Sequence, residues 1–301
     1  MNTYIYQHAK LGDMILCNGL IRHLLSKIKK KEKIYLFCRK QNFKSVKFLY
    51  RDEKRIKLIS IDENPYLKDQ KMLINYEHYK IDNFIEKIRK NTKIKYIKIG
   101  FEHYHRIRNL NQDKKNPWPC DIVFYKQFNL PFKYRFNKSY WKRDLKKEKS
   151  LFNKLVGKDK NYVFIHDDAS RNLNINDKYI DSNCKIIRND TNELIFNFGL
   201  ILENAKEIHI MESSFRQIIE VLNIRTKKLF LYKQGRSSEY SIELYNKRKK
   251  KWVGTSKKWI VIKSNIETKC KENIIYNKLL YLINRFKQKT IYYFSIIKYL
   301  F

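Results

Sequence analysis

Three short stretches place groups able to do chemistry directly after apolar runs. The first, HAKLGDM (8–14), carries Lys10, Gly12 and Asp13 ahead of a helical pattern. Gly12 permits close backbone approach. Asp13 has two readings: a helix N-cap, worth about 1 kcal/mol, or a carboxylate turned into a cleft as a general base. The second, FIHDDASRN (164–172), sets His166, Asp167 and Asp168, then Ser170 and Arg171, at the end of an apolar run. It is either an Asx-type turn in water or a ligand loop. The third, IHIMESSFRQIIEVL (208–222), ends its apolar run in Glu212, Ser213 and Ser214 and turns at once to helical spacing. Serine is a good N-cap. A helix N-terminus with hydroxyls also suits a phosphate, and Glu212 suits the hydroxyls of a nucleotide ribose.

Such turns need a scaffold in which strands end and helices begin along one edge. Strand-like runs at 3–9, 33–38, 55–61 and 94–100 alternate with helical patterns at 13–29, 43–50 and 81–90. In the first helix Ile15, Leu16, Gly19, Leu20, His23, Leu24 and Ile28 mark one face. The alternation resumes after a polar connection. Strands are expected at 161–166, 184–188, 207–211, 227–233 and 258–263, with helices at 192–205 and 213–223. Strands alternating with helices imply parallel sheets covered by helices. The fold class is therefore α/β, with two Rossmann-like domains: 1–145, 146–265, and a helical tail at 266–301. In open parallel sheets ligands bind beyond the carboxyl ends of strands, where all three turns fall.

Composition bounds the function. The chain has 301 residues, 43% of them hydrophobic, which suits two ordinary domains rather than wholesale disorder. Lys and Arg number 66 against 30 Asp and Glu, a formal net charge of +36. Such a field attracts nucleic acid, anionic lipid or phosphorylated substrates. The basic residues are spread along the chain, and abundant Lys, Ile, Asn and Tyr with scarce Ala fit an AT-rich genome. Five cysteines without a CxxC pair argue against a disulfide framework or structural zinc, and for a reducing cytosol. Met1 leads straight into the first strand, so no secretory leader is expected. No run approaches the roughly 18 apolar residues of a membrane span.

Taken together, the turns resemble the pattern of glycosyltransferase family 9, that of the heptosyltransferases of lipopolysaccharide core synthesis. KLGDMILCNGLIRHL (10–24) is similar to the family's Gly-Asp turn and following helix. YVFIHDDAS (162–170) and IHIMESSFRQIIEVLNIRTKKLFLYKQGR (208–236) are similar to its later motifs. The chain departs with Asp167-Asp168 in place of Pro-Gly, Glu212 in place of Asp, and Ser214 in place of Gly. The resemblance spans roughly residues 1–265 and implies a GT-B architecture, two domains facing across a cleft. It implies inverting sugar transfer from a nucleotide-sugar to a glycan or lipid-linked acceptor of the cell envelope. Asp13 would be the base. Lys10, Gly12, His166, Asp168, Ser170, Arg171, Glu212, Ser213 and Ser214 would hold the donor. No cofactor is expected, and no metal, because no DxD-type pair is present; the adjacent Asp167 and Asp168 side chains would diverge in an extended segment.

FEHYHRIRN (101–109) makes His103, His105 and Arg106 candidates for the acceptor loop, whereas a zinc site needs more ligands than it shows. His23 is expected to be packed. The rival readings are a nucleic-acid-binding protein, drawn from the charge and the 22 tyrosines, and a non-catalytic glycan binder of the same fold. No zinc-finger or RNP-like signature and no clustered basic arm favours nucleic acid, so no specific nucleic-acid partner is expected. The tail pattern is amphipathic and either docks on the body or lies on a membrane. Residues 290–301 are expected to contact an anionic inner membrane face, making the protein cytoplasmic and peripheral.

Overall fold

The computed structural model describes residues 1–7, 10–62, 70–100, 120–167, 174–175, 180, 183–233, 245–246, 251–252 and 255–263. The first unit runs β1 (Thr3–Gln7), α1 (Leu11–Leu16), α2 (Asn18–Lys27), β2 (Ile34–Arg39), α3 (Phe43–Leu49), β3 (Ile56–Ile61), α4 (Gln70–Arg89) and β4 (Lys95–Ile99). A connection follows with α5 (Cys120–Lys126) and α6 (Tyr134–Asn137), then α7 (Leu145–Leu155). The second unit runs β5 (Tyr162–His166), β6 (Lys185–Arg188), a 3-10 turn (Ile195–Phe198) leading into α8 (Gly199–Asn204), β7 (Glu207–Met211), α9 (Ser214–Ile219) and β8 (Leu229–Lys233). A short hairpin of β9 (Tyr245–Asn246) and β10 (Lys251–Trp252) precedes β11 (Ile260–Lys263).

Two parallel sheets result, as the alternating pattern implies. The first has the order β3-β2-β1-β4 and the second β11-β8-β7-β5-β6. Strand order reverses between β1 and β4, and again between β5 and β7. A crevice opens at such a switch point, outside the carboxyl ends of the strands. The three sequence turns follow β1, β5 and β7, so the topology sets all of them at switch points. The expected tail helix, 266–301, lies outside the described residues. Among the described residues no helix is long and apolar enough to cross a membrane.

The central strands β1, β5 and β7 are buried on both faces, the mark of parallel sheets covered on both sides. Ile5, Leu36, Phe164, Ile208, Ile210 and Leu231 all belong to one core that continues from one sheet to the other. The opposite face of the first sheet buries Tyr6 and Phe37 against Ile81 and Ile85 of α4. That of the second sheet buries Val163, Ile165, Met211 and Tyr232. Between the units, the Phe48 and Phe196 rings stack at 5.2 Å and 14°. Trp141 of the connection lies against Phe196 as well, at 5.4 Å.

The helices differ from their sequence patterns in instructive ways. The helix expected at 13–29 begins at Leu11 and breaks at Cys17. Tyr125 donates its hydroxyl to the Leu16 carbonyl at 2.8 Å, and Gln7 donates to the Asp13 carbonyl at 3.2 Å. Side chains thus claim carbonyls at the break. The helix expected at 81–90 starts at Gln70, because Glu77, polar in sequence, is buried against Arg39 and Tyr6. The helix expected at 192–205 is a 3-10 turn followed by α8, and the carboxylate of Glu148 accepts the Leu200 amide at 3.0 Å.

The connection is sewn onto α2. Asn18 accepts from the Tyr140 amide at 2.7 Å, and Ser139 accepts from the Gly19 amide at 3.1 Å. Gly19 has no side chain because the Tyr134 carbonyl occupies the space. A β-carbon there would lie 2.1 Å from that oxygen. Both partners are backbone, so neither yields cheaply. Gly19→Ala should therefore destabilise the protein by about 1–3 kcal/mol, as overpacking does. Urea denaturation of the variant beside wild type checks this.

Candidate active site

The first turn is built from the end of β1. Gln7 is buried there and donates to the Asp13 carbonyl at 3.2 Å and toward the Cys17 sulfur at 3.1 Å. It ties the strand end to the start of α1. Lys10, exposed and extended, occupies the N-cap position of α1 with no side-chain capping bond. The N-cap reading of Asp13 is thereby corrected. Asp13 is the third residue of the helix, half-buried, where a carboxylate suits the positive end of the backbone dipoles.

The second turn begins at His166. Its Nδ1 lies 3.1 Å from Asn189 Oδ1, and its ring sits 4.4 Å from that of Phe215. Asp167 turns back into its own loop. It accepts from the Ile175 amide at 2.8 Å and pairs with Arg188. Asp168, Ser170 and Arg171 lie outside the described residues, as do His103, His105 and Arg106. His23 is half-buried with its ring 5.0 Å from Tyr134. Burial and then the nearby Lys27 and Lys138 push its pKa down.

In the third turn Ser213 is the N-cap of α9, its Oγ accepting from the Phe215 amide at 3.2 Å. Ser214 is the first helical residue. Glu212 is already engaged by α9. Arg216 donates to both its oxygens at 2.9 and 3.0 Å, and Gln217 approaches one at 3.5 Å. The carboxylate expected to meet ribose hydroxyls thus shares its lone pairs with these two side chains.

The turns meet although some 200 residues of chain separate them. A β-carbon on Gly12 would lie 3.6 Å from Ser214 Cα and 3.7 Å from Gln217 Cγ. The N-terminus of α1 therefore rests on that of α9, and His166 touches α9 from the other side through Phe215. Gly12, Asp13, His166, Glu212, Ser213 and Ser214 gather around one helix start.

Sequence reading missed the buried polar groups beneath. Arg135, Arg216, Gln217 and Glu220 are all nearly inaccessible. Arg135 donates to the side-chain amide oxygen of Gln217, Oε1. Glu220 accepts from Thr255 at 2.6 Å, from the Ser256 amide at 2.6 Å and from the Trp259 indole at 2.9 Å. A signal was present in sequence, an arginine between Phe132 and Phe136 on an otherwise polar connection, but nothing local names its partner. Among the described residues no three His, Cys, Asp or Glu side chains gather to hold an ion.

No protein-family model matches the chain, and no curated protein matches it. Solved structures similar to it include a glycosyl transferase family 9 protein from Veillonella parvula DSM 2008. That chain is 7% identical, with 88% of each chain covered and a TM-score of 0.48. Another is the E. coli ADP-heptose lps heptosyltransferase II, 12% identical, with 87% of this chain and 90% of that chain covered and a TM-score of 0.49.

The buried charges make stability depend on pH. Burial alone would raise the Glu220 pKa, but Arg216 and Arg135, with the Thr255 and Ser256 hydrogen bonds, hold it below the ordinary glutamate range. A depressed native pKa contributes stability above the unfolded value, and that stability is lost as pH falls through the native one. Unfolding free energy should therefore decline as pH drops below about 4.3, the unfolded glutamate value. Glu220→Gln should cost about 3–5 kcal/mol at neutral pH, because both arginines lose a buried counter-charge. It should also flatten the acid limb. Denaturant titrations between pH 3 and 7 on both proteins test the two expectations (the pH range spans the unfolded carboxylate values, about 4).

Proposed function

We propose that the chain is an inverting, metal-independent glycosyltransferase that moves a sugar from a nucleotide-sugar onto a glycan or glycolipid of the cell envelope. The observation that carries this reading is the close approach of the start of α1 to the start of α9, where a β-carbon on Gly12 would meet Ser214, so that the Gly12–Asp13 and Glu212–Ser214 turns face each other at the switch points of both sheets. Residues 1–145 form the acceptor side, with His103, His105 and Arg106, and residues 146–265 the donor side. Asp13 removes the acceptor hydroxyl proton as that oxygen attacks the anomeric carbon. The bond from that carbon to the nucleoside diphosphate breaks with inversion, and the leaving group takes the electron pair. The Ser213 hydroxyl accepts from Phe215 and has its own proton to donate outward. Ser214, Lys10 and Arg171 add donors and positive charge toward the departing phosphate.

A thermal-shift screen of nucleotide-sugars identifies the donor, and variants then test the roles. Asp13→Asn should keep the fold and donor binding, since the cap position of α1 is Lys10 and the lost charge in the first turn costs only about 0.3–1 kcal/mol. It should lower turnover by roughly 10²–10⁴-fold, the range for a lost general base. Near-normal transfer by this variant would remove Asp13 from the role. Ser213→Asp should keep the helix cap, because aspartate caps as well as serine does. It should nonetheless weaken nucleoside diphosphate binding by setting like charge against phosphate. Calorimetry showing unchanged affinity would place the donor phosphates elsewhere.

A further inference from the structure

We infer that Arg135 and Gln217 form a latch that fixes the placement of the Gly12–Asp13 turn against the Glu212–Ser214 turn, making both of them positioning residues for the transfer proposed above. The inference rests on that reading for its catalytic part and on geometry alone for its structural part.

Arg135 is 1% exposed and stands on α6, in the connection between the units. Its guanidinium lies over the Phe132 and Phe136 rings, 5.7 and 5.3 Å from their centroids. α6 moves with the first unit, because the Tyr134 carbonyl is seated on Gly19 of α2. Gln217 belongs to α9 of the second unit. The hydrogen bond from Arg135 to Gln217 therefore crosses from one unit to the other. Gln217 in turn reaches both turns. Its Cγ lies 3.7 Å from where a Gly12 β-carbon would be, and its amide nitrogen is 3.5 Å from Glu212. One side chain thus touches the connection, the proposed base turn and the proposed donor turn.

Apolar contacts between the units, such as Phe48 on Phe196, tolerate sliding. A buried, directional hydrogen bond does not. Arginine supplies a rigid planar fork, which lysine cannot reproduce although it keeps the charge. A displacement of about 1 Å at reacting groups costs up to roughly 10²-fold in rate, so a latch here acts on turnover without touching substrate.

The test uses the full chain with Arg135→Lys, Gln217→Leu and the double variant. Gln217→Asn, which keeps the amide but shortens its reach, replaces Arg135→Lys if the latter does not fold. Hydrogen exchange is measured on segments 11–17 and 212–219, and steady-state transfer is measured with the donor found by thermal shift. Exchange should accelerate in both segments for each single variant, while β2 and β6 keep wild-type protection. The turnover number should fall roughly ten- to hundredfold, with the donor KM within about twofold of wild type. The double variant should be no worse than the more damaged single, because both changes remove the same bond. Unchanged exchange in either segment, or a double variant whose loss is the product of the two singles, overturns the latch. A wild-type chain that transfers no sugar overturns the transferase reading alone, and exchange still decides the latch.

Discussion

The packing of the start of α1 on the start of α9, with room for no more than a β-carbon between Gly12 and Ser214, is the constraint on which the rest of the arrangement depends. Helices that follow parallel strands begin at the carboxyl edge of their sheet. Bringing the N-terminus of α1 against that of α9 therefore brings two carboxyl edges together, and with them the switch points of both sheets. A methyl group at position 12 would meet Ser214 and Gln217 at ordinary contact distance. At this point the two turns are thus separated by about the width of one β-carbon.

Beneath this contact lies a set of largely buried charges. Arg135 and Arg216 are offset by Glu212 and Glu220. Buried ionic groups rarely stabilise a protein more than a well-packed apolar cluster would. What they contribute here is direction. The Phe48–Phe196 stack and the continuous core hold the units together under many small displacements. The bonds of Glu220 to Thr255, Ser256 and Trp259, and of Gln217 to Arg135, are directional and so constrain placement. The apolar core supplies cohesion, and the polar network supplies register.

Most strands were legible because a parallel strand buried on both faces is a plain apolar run. Glu207–Met211 matches its sequence bounds, and Tyr162–His166 and Leu229–Lys233 differ only at their first residues. Short or polar-looking elements were not. α6 has four residues, too few for any period to show. The first half of α4 hides its inward face behind Glu77, whose pairing with Arg39 lies 38 residues away. The cap assigned to Asp13 failed because the helix starts earlier, at Leu11, for reasons lodged in Gln7 and not in the turn itself. At the site, each turn could be found from its own residues. Their meeting could not, since no local signal links Gly12 to Ser214 or Arg135 to Gln217.

The same partition bears on the net charge of +36. The pair of Arg39 with Glu77 is buried on both sides, and the partly buried pairs of Arg216 with Glu212 and of Arg143 with Glu148 and Glu203 also use arginine. Their forks need fixed partners and are consumed by the fold. The lysines around β2, such as Lys29, Lys30, Lys31 and Lys33, are exposed. Such exposed lysines make a field of hydrated charges, screened within about 8 Å at physiological salt. Such a field raises the encounter rate of any anion without choosing among them. Selection of one phosphorylated donor over another then falls to the short-range groups at the start of α9, where Ser213, Ser214 and a partly engaged Glu212 offer hydrogen bonds at fixed positions. Charge brings ligands to the molecule, and the placement of two turns decides which of them fits.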